Sequence, residues 1–248
     1  MPIMPQLEKA IIETDAKVIG LVFPIHDFKA PKIVEQFVER LANIESKYIF
    51  AVATYGFLPL KAMKKLAKTI QLLGGKLSAG FVVRMPHNGI GYRTESIRRQ
   101  EGMFNDWKLK LEMINEYVAS RKKGKLETKS VLLHLILSGL FVKAIGALFR
   151  IYRQVLFKGW NSLAFIPDAK CNGCGICKSV CPMDNITIID GKPAWKDHCA
   201  LCFACLQWCP KEAIQAGNVT VNKRRYHHPD VRISDIIKAK QGFGFVMR

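Results

Sequence analysis

The chain has 248 residues, of which 49% are hydrophobic, and a formal net charge of +18 at pH 7. This length accommodates one large domain or two small ones with a real core. The excess of positive charge favours an acidic partner or an anionic surface, unless it is simply a solvated basic surface. No nucleic-acid motif or aromatic platform accompanies it, so we expect no nucleic acid as a partner.

The first half of the chain alternates between predicted strands and helices. Three continuous apolar runs predict buried parallel strands, at residues 17–23, 48–53 and 79–83. Helices are predicted at residues 7–13, 30–41, 60–73 and 95–120. This alternation predicts an α/β fold with a parallel sheet. Ligands of such folds bind beyond the carboxyl ends of the strands, so the loops there are candidate binding loops, unless they only connect elements.

A basic break at residues 121–125 marks the predicted end of this domain. The apolar stretch that follows it, residues 131–149, is close to the length of a membrane span. His134 and Lys143 lie inside this stretch, and a charge near the middle of a span costs about 2.5–3.5 kcal/mol. From residue 141 onward, apolar and basic side chains separate onto opposite faces, which predicts a cationic amphipathic helix. Three arrangements are open: packing on the rest of the protein, docking on an anionic membrane surface, or a span.

All eight cysteines lie near the C-terminus, in two copies of one spacing. Each copy reads C-x-x-C-x-x-C-x-x-x-C-P, the bacterial ferredoxin run for ligation of 4Fe–4S clusters. The two copies form an internal repeat at an offset of 28 residues. The first contains Cys171, Cys174, Cys177, Cys181 and Pro182, and the second contains Cys199, Cys202, Cys205, Cys209 and Pro210.

The spacing suits a cubane cluster, which needs one thiolate for each of four irons. Three closely spaced cysteines can cap three irons from one tight loop, which Gly173 and Gly175 favour in the first run. The fourth cysteine of each run is expected to ligate the other cluster. The predicted ligands are therefore Cys171, Cys174, Cys177 and Cys209 in one site, and Cys199, Cys202, Cys205 and Cys181 in the other.

Two other uses of clustered cysteines fit this pattern less well. Zinc sites usually take two C-x-x-C pairs, not three cysteines within seven residues followed by a fourth. A disulfide framework needs an oxidising compartment, and the first residues show no charged region followed by an apolar core, so no signal peptide is predicted. We therefore expect a cytoplasmic protein with two 4Fe–4S clusters, peripheral at the membrane only if the amphipathic helix docks there.

Four short segments outside the cysteine runs resemble segments of known protein families. GLVFP at 20–24, ATYG at 53–56 and MPHN at 85–88 are similar to parts of flavodoxins, in the same order. With the cysteine runs and the ending RYHHP at 225–229, nearly the whole chain resembles the flavodoxin–ferredoxin fusion group known as EFR1-family ferredoxins. The resemblance implies an incomplete flavodoxin-like α/β domain at 1–125, a helical connector at 126–164, a small α+β ferredoxin domain at 165–222 and a basic tail at 223–248.

The resemblance also implies an FMN site, with one departure. Flavodoxins begin with a strand and a Ser/Thr-rich loop that holds the FMN phosphate, whereas this chain begins where the third strand of that fold would start. By the resemblance, Thr54, Tyr55 and Gly56 match the loop beside the flavin ring, and Pro24 and His26 belong to the other flanking loop. FMN is thus a candidate cofactor whose phosphate loop has no counterpart here.

Side chains outside the cysteine runs are assigned supporting roles. Trp195 and Trp208 flank the second run and are predicted to pack over the clusters and exclude water. His227 and His228 are expected to be structural, and residues 223–225 to be a solvated basic patch.

The predicted function is transfer of low-potential electrons to or from a redox protein with an acidic surface. A second hypothesis is a flavin-linked oxidoreductase in which the clusters exchange electrons with FMN on the α/β domain. A third is a structural or sensor protein. No nucleophile–base set or pair of carboxylates on one helix face predicts hydrolytic chemistry.

Overall fold

The structure is a computed structural model that describes residues 3–26, 29–56, 58–89, 95–128 and 165–241. The predicted amphipathic helix and the apolar stretch before it lie outside these residues. Within them, no helix has both the length and the apolar character needed to cross a membrane.

Two sets of elements follow each other along the chain. The first set alternates strands and helices: β1 (Val18–Pro24), α1 (Lys32–Glu39), β2 (Tyr48–Tyr55), α2 (Ala62–Leu72), β3 (Leu77–Arg84) and α3 (Ile97–Ala119). The second set is made of short elements: β4 (Phe165–Pro167), α4 (Ile176–Ser179), β5 (Ile186–Ile189), β6 (Lys192–Trp195), α5 (Ala204–Gln207), β7 (Ile214–Ala216), a 3₁₀ helix (Gly217–Thr220) and α6 (Ile233–Lys240).

The three long strands form a parallel sheet in chain order, as the apolar runs predict. Helices α1 and α2 pack their buried residues on one face, in one cluster with β1 and β2. Helix α3 covers the other face, where Ile114 packs against Phe81. The α/β class with a parallel sheet is therefore confirmed, and the flavodoxin-like assignment stays a prediction.

Local sequence signals fix two of the helix ends. Gly74 follows α2 with a left-handed φ of +80°, a conformation that glycine adopts without a steric penalty. Ser96 caps α3, since its hydroxyl accepts a hydrogen bond from the Arg99 amide at 3.4 Å. The helix predicted at residues 7–13 is wrong. A 3₁₀ turn spans Met4–Glu8, and the Ile12 amide then donates to the Arg40 carbonyl in an extended bridge.

The chain after α3 returns along β3 and extends the sheet edge. The Gly80 amide donates to the Lys125 carbonyl at 2.8 Å. The Glu127 carboxylate accepts from the Val82 amide at 3.0 Å and from Lys110 Nζ at 2.6 Å. Contacts of the sheet thus reach Glu127, and we call residues 18–128 the α/β module. The domain boundary at 125 stays a prediction.

The second set of elements folds into two small antiparallel pairs, β4 with β7 and β5 with β6. Asp190 and Gly191 form the two-residue turn between β5 and β6 with φ values of 48° and 70°. Two successive positive φ values are those of a type I′ hairpin, which Asp-Gly favours. We call residues 165–222 the cysteine-rich region and residues 223–241 the C-terminal tail.

Candidate iron–sulfur centre

The two cysteine runs repeat each other in backbone conformation as well as in sequence. Gly173 and Gly175 have left-handed φ values of 73° and 75°. At the offset of 28, Leu201 and Phe203 have φ values of 51° and 59°. Left-handed backbone is uncommon for residues other than glycine. The loop conformation is therefore held by its surroundings in the second run, where no glycine favours it.

Gly173 is required by space as well as by conformation. A Cβ atom on this residue would lie 2.6 Å from the Gly191 carbonyl oxygen, in the turn between β5 and β6. A Cβ on Gly175 would meet no heavy atom within 4 Å. The loop of the first cysteine run thus packs directly against the β5–β6 hairpin that follows it.

Backbone amides point at cysteine sulfurs in both runs. The Asn185 amide lies 3.4 Å from Cys181 Sγ, and the Ala213 amide, 28 residues later, lies 3.3 Å from Cys209 Sγ. The Leu201 amide lies 3.4 Å from Cys199 Sγ. N–H groups aimed at sulfur stabilise a thiolate and tune any cluster that it ligates.

The cysteines gather into two crossed sets. The first three cysteines of the first run and the last cysteine of the second run line one cavity, and we call them the first quartet: Cys171, Cys174, Cys177 and Cys209. Cys181 lies within electrostatic range of the remaining three, and these form the second quartet: Cys199, Cys202, Cys205 and Cys181. This grouping is the one that crossed ligation requires, and the assignment of the cysteines as ligands stays a prediction.

The quartets are spread more widely than the ligands of one ion. Within the described ranges, no three His, Cys, Asp or Glu side chains converge closely enough to hold a single metal ion. A cubane, with an iron at alternate corners, takes its thiolates at a greater separation.

The environment of the thiols suits a bound cation. Cys177, Cys181 and Cys205 are buried. Burial raises the pKa of Cys177 and of Cys202 to about 11, and it raises the pKa of Cys205 as well. Such thiols stay protonated near pH 7 unless a positive charge compensates them. An iron–sulfur cluster, when bound, supplies that charge and a place to store an electron. The donor set and its burial therefore fit iron–sulfur clusters.

The predicted flavin contacts lie together at the carboxyl edge of the sheet. Pro24 is paired with Thr54 at the ends of β1 and β2. Thr54 and Tyr55 are the last residues of β2, so they belong to the strand rather than to a loop. The backbone of His26 forms a bridge to Lys29 with N–O distances of 3.0 Å.

Gly56 lies at the same edge, immediately after β2. A Cβ atom added there would be 2.6 Å from His87 Cδ2, so the loops that follow β2 and β3 pack directly on each other. FMN binding at this edge stays a prediction.

One contact joins this edge to the second quartet. Gln207, at the end of the helix that carries Cys205, donates from Nε2 to the Asn88 carbonyl at 2.8 Å. Its Oε1 accepts from the Tyr226 amide at 2.7 Å. The partners are far apart in sequence, and no local signal of the chain indicates this junction.

The C-terminal tail contacts both the α/β module and the cysteine-rich region. His228 packs on Phe104 and Trp107 of α3, with ring centroids 4.4 and 5.9 Å away. His227 stacks on Trp208 at 4.5 Å. The structural role expected for these histidines agrees with these contacts.

Arg225 departs from the predicted solvated patch. Its Nη2 donates to the Ile214 carbonyl at 2.9 Å and to Gln215 Oε1 at 3.0 Å, so it holds β7 in place. Arg225 thus supplies donors to carbonyl groups of β7 and of the segment that precedes it.

Comparison with known proteins finds one match. Residues 170–214 match the family model described as 4Fe-4S dicluster domain. No curated protein and no solved structure was found to match the chain. The match covers less than half of the chain and includes all eight cysteines. Residues 170–214 therefore form a ferredoxin-type 4Fe–4S dicluster domain.

Proposed function

We propose that the protein transfers electrons through two 4Fe–4S clusters, one held by each quartet. The observation that carries the proposal is the crossed grouping of the eight cysteines, four around one cavity and the other four within electrostatic range of one another. The two quartets would each hold one cluster, and each cluster would supply a site that gains and loses one electron. Cys174 and Cys199 are exposed, so each quartet has one face from which an electron reaches the surface.

Metal content and spectroscopy test this function. Protein purified without oxygen is expected to hold about eight irons and about eight acid-labile sulfides per chain. Reduction with dithionite is expected to give the electron paramagnetic resonance signal of two interacting clusters. Folded protein that stays colourless and free of iron after reconstitution would overturn the proposal.

A flavin-linked oxidoreductase is the second candidate, and the contact between Gln207 and Asn88 favours it. This contact sets the carboxyl edge of the sheet beside the second quartet, so a flavin held near Thr54 and Gly56 would have a cluster as neighbour. Flavin content of the same preparation, followed by addition of FMN, tests it. Stoichiometric flavin that is reduced by the clusters supports the enzyme, and no binding at excess FMN excludes it.

The partner we propose is a redox protein with an acidic surface. Exposed lysines surround the first quartet: Lys192 donates from Nζ to the Cys171 carbonyl at 2.7 Å, Lys211 lines the cavity, and Lys170 precedes Cys171. Cations around an electron exit attract an anionic surface, and salt weakens the attraction. Electron exchange with a carboxylate-terminated electrode should slow as salt rises and slow further in a K170Q/K192Q/K211Q variant. Equal rates on a hydroxyl-terminated electrode would contradict the preference for an acidic partner.

A further inference from the structure

Within the described ranges, the indole Nε1 of Trp195 is buried and has no hydrogen-bond partner. The Nε of Arg225 is in the same situation. Buried donors are almost always paired, so these two need an explanation.

The Trp195 indole belongs to a strand end beside the second quartet, since the next amide, of Lys196, donates to the Asn185 carbonyl at 2.9 Å and the Asn185 amide lies 3.4 Å from Cys181 Sγ. Its ring is fixed by stacking on Phe165, with centroids 5.8 Å apart, and it packs in the core that contains Cys205. Trp195 is opposite Ile186 in the β5–β6 pair. In the other half of the repeat, Ile214 is opposite Pro167, which has no N–H to offer. The matching position beside the first quartet therefore offers no such donor.

The Arg225 guanidinium lies beside the first quartet, because it bonds to the residues on either side of Ala213, whose amide lies 3.3 Å from Cys209 Sγ. Its Nη2 is fixed by the carbonyls of Glu212 and Ile214, which follow Cys209 along the chain. The residue 28 positions earlier is Asp197, which carries the opposite charge. The matching position of the second quartet thus offers no such cation.

We propose that Trp195 and Arg225 set the reduction potentials of the two clusters separately, Trp195 through a hydrogen bond from its unpaired indole N–H to a sulfur of the second quartet or of the cluster that it holds, and Arg225 through its charge beside Cys209. The inference rests on the proposed function. Each couple is the gain of one electron by one cluster, with no bond formed or broken. A hydrogen bond to a ligand sulfur and a nearby cation both favour the reduced, more negative cluster. Loss of either group should therefore make one couple more negative and leave the other unchanged.

The test is a mediated titration of anaerobically purified protein with dithionite, followed by electron paramagnetic resonance. W195F keeps the stacked ring and removes the N–H, and we expect one of the two couples to become more negative. W208F keeps an aromatic ring that excludes water and removes an indole that stacks on His227, so it should shift either couple less than W195F does. R225Q should shift the other couple negative, whereas R224Q, which removes a charge one residue away, should shift it less.

A second arginine variant separates charge from support of β7. R225K keeps the cation but loses the forked hydrogen bonds, so its couple should stay close to that of the natural protein. Equal shifts in R225Q and R225K would overturn the role of the charge. A shift of both couples together in W195F, or the same shift in W208F, would overturn the role of the indole.

An isotope measurement tests the indole without a substitution at a packed position. With ¹⁵N-labelled tryptophan, pulsed paramagnetic resonance of the reduced protein should show coupling of an indole nitrogen to a cluster. The coupling should persist in W208F and disappear in W195F, and its absence from the natural protein would overturn the hydrogen bond. Iron and sulfide are measured first, so a protein without clusters fails the proposed function, and a protein with clusters whose potentials ignore both residues fails only this inference.

Discussion

The α/β module and the cysteine-rich region are held together in different ways. The core of the α/β module is made of apolar side chains from β1, β2, α1 and α2, and Val38, Ile49 and Ile70 in it are fully buried. In the cysteine-rich region, the buried core includes Cys177, Cys181 and Cys205 themselves. Apolar side chains fill the core of the α/β module, whereas predicted cluster ligands take part of that place in the cysteine-rich region.

Element length sharpens this contrast. The strands of the α/β module have seven or eight residues, whereas β4 and β7 have three each. Short elements bury too little apolar surface to offset the entropy of ordering the chain. The comparison implies that the cysteine-rich region depends on its clusters for folding, and that the α/β module does not.

Loss of one of the buried cysteines that we predict as ligands should therefore have the largest effect. Replacing Cys205 by Ser removes a thiolate from the second quartet, and we expect iron to fall from about eight to about four per chain. Hydrogen exchange should rise across the cysteine-rich region and stay unchanged in β1 to β3. The neighbouring change Ala204→Ser adds a hydroxyl without removing a thiol and should keep all the iron. Full iron content in C205S would break the assignment of that quartet.

A cavity in the α/β core is the reciprocal test. Phe81 is fully buried beneath α3, and its change to Ala should lower the free energy of unfolding of the α/β module by about 3–5 kcal/mol. Leu72 is 78% exposed, so its change to Ala should lower the free energy of unfolding by less than about 0.5 kcal/mol. Denaturation followed by far-ultraviolet circular dichroism and by cluster absorbance separates the modules. If F81A lowered both transitions equally, the two modules would be one cooperative unit.

The same contrast explains how far sequence reasoning reaches. Apolar runs predicted β1, β2 and β3 within about two residues, because a buried strand is a local pattern. The cysteine spacing predicted the dicluster domain, because three ligands in one tight loop must be close in sequence. Gly173 and Gly175 indicated the left-handed positions of the first loop.

Features that depend on tertiary contacts had no such signal. Leu201 and Phe203 carry the same left-handed backbone as the two glycines, and neither residue type indicates it. The junction of Gln207 with Asn88 joins residues 119 positions apart. Arg225 looks like any surface cation until the carbonyls of β7 are placed around it. These are consequences of folding that a local pattern does not carry.

Two glycines in one loop give a smaller test of how the fold constrains the site. Both have left-handed φ values, so alanine at either should cost about 1–2 kcal/mol of backbone strain. Only at Gly173 would the added carbon also collide with the Gly191 carbonyl. In the presence of an iron chelator, cluster absorbance should therefore decay fastest in G173A, more slowly in G175A and slowest in the natural protein. Equal decay of the two variants would show that the contact with the hairpin does not matter.

Acidification should have the smallest effect, confined to the junction between the modules. Burial against α3 lowers the pKa of His228 below its ordinary value of about 6.5. The packed tail thus binds fewer protons than a detached one, so its contact is fully stable above about pH 6.5 and weakens as pH falls toward the lowered pKa. Hydrogen exchange at tail amides, corrected for intrinsic rate, should rise between about pH 7.5 and about pH 5.5. H228F keeps an aromatic ring on Phe104 and removes the titration, so its exchange should change less. Burial also lowers the pKa of His87, which is present in both proteins, so the difference between them isolates His228. If the two proteins responded to pH alike, the tail would not be held by the neutral imidazole.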